Sequence, residues 1–112
     1  WNLIHVEDAA LAVLHAVEHS SAGLRQIFNV CDEEPVPFRE LLFYLVEQFK
    51  AKKPMHLPLF WAKKMIGSHI IDILQASVRC HNKKIKEHLS WKPNYPTYRE
   101  GMLAEIEKWS KS

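Results

Sequence analysis

Two pairs of residue types in this 112-residue chain could hold a metal ion or react at sulfur. His15 and His19 stand four apart, one helical turn, so two imidazoles could share one ion. No third ligand is evident in the local sequence, and the pair reads as two exposed helix histidines. Cys80, His81 and His88 lack the spacing of a structural zinc finger. No metal is therefore expected. Cys31 and Cys80 lie far apart and read as two reduced thiols, which suits a cytoplasmic protein. His5 reads as a hydrogen-bonded histidine at the end of a strand. Arg79, Lys83, Lys84 and Lys86 make a basic cluster, but no aromatic platform interleaves it, so nucleic acid is not an expected partner. A dinucleotide site needs a glycine-rich turn where backbone can approach a pyrophosphate. The three glycines, Gly23, Gly67 and Gly101, are scattered and cannot form one.

The composition is that of one globular domain, 47% hydrophobic and 25% charged. A net charge of +2 is too small to argue for a nucleic-acid or membrane surface. The longest apolar stretch, Leu57 to Leu74, is interrupted by Lys63, Lys64, His69 and Asp72. No run reaches the ~18 residues of a membrane span. The chain starts at Trp1, directly in an extended run and without an initiator Met, and reads as part of something longer.

The elements that must position these groups follow from the pattern. Asn2 to Val6 reads as a strand. Asp8 caps a helix whose apolar stripe is Ala10, Val13, Leu14 and Val17, broken by Ser20-Ser21-Ala22-Gly23. Gln26 to Val30 is the best strand. Phe38, Leu41, Leu42, Leu45, Val46 and Phe49 give an amphipathic helix starting near Pro37. Leu59 to Ala76 is helical and apolar on several faces, with a bend at Gly67-Ser68. Asn82 caps a short helix that turns Ile85 and Leu89 inward. After the turn-rich Trp91 to Pro96, a last helix buries Met102, Leu103, Ile106 and Trp109. The class is α/β and helix-rich, with short strands and about five helices.

Several of these stretches resemble the C-terminal third of extended short-chain dehydrogenase/reductases, the NAD-dependent epimerase/dehydratase group. The likeness runs through Ile4-His5-Val6-Glu7-Asp8-Ala9-Ala10 and Ile27-Phe28-Asn29-Val30. It continues at Arg79, Asn82, Leu89-Ser90-Trp91-Lys92-Pro93 and Glu100-Gly101. Ser90 stands where the family usually has Gly.

The resemblance implies the C-terminal fragment of a Rossmann-type enzyme. Residues 1–32 would join the parent sheet as strand, helix and strand, and residues 33–112 would form a helical substrate-binding lobe. Family catalysis uses a Tyr-x-x-x-Lys pair. Here Tyr44, Tyr95 and Tyr98 are followed four residues on by Gln48, Arg99 and Met102, so no catalytic or cofactor-binding residue is assigned. Arg79 is the implied substrate contact, because a guanidinium suits a substrate phosphate. The parent would be an epimerase, dehydratase or reductase. It would use NAD or NADP, held by an N-terminal dinucleotide-binding domain, and act on a nucleotide sugar or another small hydroxy or keto compound. The alternative is a non-enzymatic helical interaction module that uses the Leu59 to Leu74 face. Either way, exposed apolar surface predicts a homo-oligomer.

Overall fold

Asp8 does not cap a helix; it anchors one. In the computed structural model, which describes residues 1–19, 21, 25–55 and 57–111, helix α1 spans Val6–Glu18 and starts two residues before Asp8. His5 takes the cap instead, its Nδ1 accepting from the Glu7 N–H at 3.3 Å. The Asp8 carboxylate, fully buried, reaches across to the turn before the last helix. Its two oxygens accept from the Asn94 N–H at 2.7 Å and the Tyr95 N–H at 2.9 Å. The Trp91 indole donates to the Asp8 carbonyl at 3.1 Å. These bonds fix the rotation of α1. They turn Ala12 inward and leave the expected stripe outside, with Val13 66% exposed and Leu14 and Val17 also in solvent. The proposed break at Ser20 to Gly23 lies outside the described residues, apart from Ser21.

Six helices are present among the described residues: α1, α2 (Phe38–Gln48), α3 (Leu59–Ile66), α4 (Ser68–Gln75), α5 (Lys83–Leu89) and α6 (Tyr98–Lys111). The expected α/β class is overturned: no strand or sheet occurs among the described residues. A strand is a pairing, and apolar β-branched residues do not themselves supply a partner. Asn2 to His5 and Gln26 to Val30 find other acceptors and donors. The Asp32 N–H donates to the Leu3 carbonyl at 2.7 Å, the Cys80 N–H to Asn2 Oδ1 at 2.9 Å, and Lys84 Nζ to the Ile27 carbonyl at 3.0 Å. Ile27 itself is exposed.

The chain divides into two compact units. One joins Asn2–Pro35 with Arg79–Ser112 and carries α1, α5 and α6. Its core is Ala12, Ile85, Leu89 and Trp91, flanked by Ile4, Leu11, Ala16, Phe28 and Val30. Ile85 and Leu89 do face inward, but the Asn82 side chain does not cap α5. Its Nδ2 donates to the Cys31 carbonyl at 2.9 Å. Ser90 ends α5 at φ +51° in the left-handed region, where glycine is the easy choice. In α6 the buried residues are Tyr98 and Gly101, whereas Trp109 is exposed. A Cβ on Gly101 would lie 3.2 Å from the His5 ring, so the absence of a side chain lets that ring sit close.

The other unit joins Trp1 with Val36–Val78. The Trp1 amino group donates to the Val36 carbonyl at 2.8 Å, and the Val36 N–H returns a bond at 2.9 Å. The Trp1 ring lies 4.9 Å from that of Phe38. α2 starts after Pro37 as the sequence predicts and buries Leu41. It ends in a Schellman motif: the Ala51 N–H donates to Val46, the Lys50 N–H to Glu47, and Lys50 has φ +49°. α3 and α4 are separated at Gly67, whose φ of +98° suits a residue without Cβ. A Lys63–Asp72 ion pair at 3.0 Å spans the two helices.

Replacing Asp8 by Ala strands two backbone N–H groups that now bond a charged acceptor. The expected loss is about 3 kcal/mol or more, read as a fall in urea midpoint. Asn, which keeps one acceptor oxygen, should lose about half as much.

Candidate functional site

Three pieces of backbone converge beside the α1–α5 core: residues 2–5, 30–33 and 79–82. The bonds from Asp32 to Leu3, from Cys80 to Asn2 and from Asn82 to Cys31 lace them together. The Glu33 N–H adds a link to the Pro96 carbonyl at 2.8 Å. Cys31 is buried and Cys80 half-buried, and both are free thiols. Burial, reinforced by neighbouring Cys80 and Asp32, pushes the Cys31 thiol up, away from the reactive thiolate.

Asp32 is the unusual group here. It is 5% exposed, and its Oδ1 has no hydrogen-bond partner among the described residues. Burial pushes its carboxyl from the ordinary 3.8 up to about 6. A bond from the Glu34 backbone opposes that rise, and the Glu34 and Glu33 charges add to it. A buried carboxylate oxygen without a donor costs stability and is a common mark of a working site. In the sequence, nothing separates Asp32 from its acidic neighbours in Asp32-Glu33-Glu34. Only the fold shows that Glu33 pairs with Lys86 and Glu34 with Arg99, while Asp32 turns inward.

Arg79, the substrate residue implied by resemblance, opens the third piece. It is exposed and makes no ion pair among the described residues. Its neighbour Cys80 is tied down through Asn2, which fixes the backbone beside it. The lysines that follow have local partners. Lys86 pairs with Glu33, Lys83 with Glu87 at 3.6 Å, and Lys84 lies 5.3 Å over the Phe28 ring.

His5 is fully engaged in structure. Its Nδ1 accepts the cap bond, so the proton sits on Nε2, which meets Glu105 at 3.1 Å. Its ring lies 4.1 Å from that of Tyr95. Lys108 bridges Glu105 and Glu7 on the surface and holds both carboxyls below their usual range.

His15 and His19 are not simply solvent-facing. His15 is half-buried and its Nδ1 bonds the Leu89 carbonyl at 2.9 Å. Glu18, which the sequence pattern did not single out, joins the two histidines in one cluster. Spacing could have found it, since residues three and four apart share a helix face. Cys80, His81 and His88 join no such cluster among the described residues.

No protein-family model matches the chain. It is 30% identical over 104 residues to 3-diazoavenalumate denitrifying reductase from a Streptomyces species, over 93% of this chain and 33% of that protein. It also superposes on a functionally unknown conserved protein from Silicibacter pomeroyi DSS, with a TM-score of 0.71 at 26% identity. That match takes in 100% of this chain and 39% of the other. The chain is therefore similar to one part of a reductase and spans a third of its length. No helix among the described residues is long and apolar enough to cross a membrane.

Asp32→Asn should stabilise the protein at neutral pH. The folded form of the wild type holds the Asp32 proton more tightly than the unfolded chain, so stability falls as pH rises from about 4 to about 6, and the full penalty stands above that. The Asn variant should lose this slope in urea titrations across the same range. A variant no more stable than wild type at pH 7 would show that Asp32 is already satisfied.

Proposed function

We propose that this chain is the substrate-side portion of a nicotinamide-dependent reductase similar to the extended short-chain dehydrogenase/reductases. In this reading Arg79 holds an anionic or carbonyl-bearing small substrate. NAD or NADP, and the acid–base residues of catalysis, belong to a dinucleotide-binding part outside these residues. The observation that carries the reading is the reductase relative, matched along nearly the whole of this chain but along a third of its own length. Two features of the chain support it. Arg79 is exposed and unpaired among the described residues, so its forked donors face solvent. No Tyr-x-x-x-Lys pair exists in the sequence to do the chemistry here.

The test compares the chain with a longer protein that carries it. The chain alone should neither bind NAD(P)H in a fluorescence titration nor turn it over. In the longer protein, Arg79→Ala should raise KM for an anionic substrate about tenfold or more with little change in kcat, the pattern of lost uniform binding. An unchanged KM removes Arg79 from the site. Stoichiometric dinucleotide binding by these 112 residues overturns the division of labour.

A second reading, a helical interaction module, is favoured by the apolar face of α3 and α4. Phe60 and Met65 are 72% and 74% exposed, and Trp61, Ile66, Ile70 and Ile73 are about half exposed. Monomeric proteins rarely show so much contiguous apolar surface. Sedimentation of the isolated chain should show concentration-dependent association that the pair Phe60→Ser, Met65→Lys weakens. A clean monomer at high concentration excludes the self-associating form.

A further inference from the structure

We propose that His15, Glu18 and His19 form a binding site for a divalent transition metal, of which zinc is the representative, at the C-terminal end of α1. Two carbonyls fix the protons of the two imidazoles. His15 Nδ1 lies 2.9 Å from the Leu89 carbonyl, and His19 Nδ1 lies 3.0 Å from the His15 carbonyl. A carbonyl can only accept, so in both rings the proton sits on Nδ1 and the lone pair on Nε2. This is the arrangement found behind metal-bound histidines, where an outer carbonyl fixes tautomer and ring orientation. The two rings are nearly parallel, 8° apart with centroids at 5.9 Å. Ligand-capable atoms of His15, Glu18 and His19 all lie within 4.8 Å of one another.

A tetrahedral ion bonded at ~2.0–2.1 Å needs its ligand atoms closer than that, so the side chains must draw together. The structure shows which can move. His15 is half-buried and tied to α5 through Leu89, and the His19 ring is tied to the His15 carbonyl, whereas Glu18 is exposed. Both rings are held by carbonyls, and the Glu18 carboxylate closes onto them. The helix end favours a cation, since its unpaired carbonyls carry the negative end of the dipole. Two imidazoles and one carboxylate suit zinc and its neighbours rather than calcium or magnesium, which take oxygen ligands. Three protein ligands leave the remaining position open to water or to an anionic group, so the site is of the open kind. His88 offers the contrast: its Nδ1 also bonds a carbonyl, that of Lys84 at 3.0 Å, but it joins no cluster of three or more ligand groups among the described residues.

The test is calorimetric titration of the chain with zinc, with cobalt absorption as a reporter of coordination. One ion per chain is expected, together with a rise in melting temperature. His19→Gln should weaken binding about tenfold or more. Glu18→Gln should weaken it by a smaller factor, and His88→Gln should leave it unchanged. His15→Gln also removes the bond to Leu89 and can unfold the unit, so the exposed His19 and Glu18 variants decide the matter. No saturable binding, binding indifferent to His19→Gln, or binding lost in Cys80→Ser would each overturn the proposal.

Discussion

One buried carboxylate sets the geometry of the unit that holds both sites. Asp8 is 0% exposed, yet both its oxygens are satisfied, and by backbone rather than side-chain donors. Backbone N–H groups cannot rotate away, so the contact fixes the turn at Asn94-Tyr95 against the first part of α1. The Trp91 indole, fully buried, closes the same junction from the other side. With α1 locked in this rotation, Ala12 meets Ile85 and Leu89, and His15 is delivered to the end of α5. The core and the histidine cluster are thus two results of one hydrogen-bonded corner.

The region around Asp32 follows the opposite logic. There the chain leaves a buried oxygen unsatisfied and a carboxyl raised to about 6, while the flanking glutamates are neutralised by Lys86 and Arg99. The laced segments around it leave the group little freedom to relax toward water. Packing that could have excluded the charge instead holds it in place. Such local cost persists where surrounding structure over-determines it.

Some of this was legible in the sequence. The start of α2 at Pro37, the break at Gly67, and the inward pair Ile85 and Leu89 all follow from local rules. What failed was whatever depends on distant partners. Asp8 looks like a cap because capping needs only three residues; its true donors lie more than eighty residues away. Val13 and Val17 make a helical stripe, but a stripe does not say which way a helix is rolled. Gln26 to Val30 has strand composition, and pairing cannot be read from one segment. Asp32 was invisible for the same reason, since it is ordinary until its surroundings are known, whereas Glu18 stands at helical spacing from His15 and could have been found.

Lys50 and Ser90 end their helices in a conformation that side chains resist, each at a cost of the order of 1 kcal/mol. The usual remedy is glycine, but glycine adds freedom to the unfolded chain as well. With three glycines in 112 residues, this polypeptide has a comparatively stiff disordered ensemble. It surrenders less entropy on folding than a glycine-capped chain would. Strain at two helix ends and restraint in the denatured state therefore act in opposite directions on the same equilibrium.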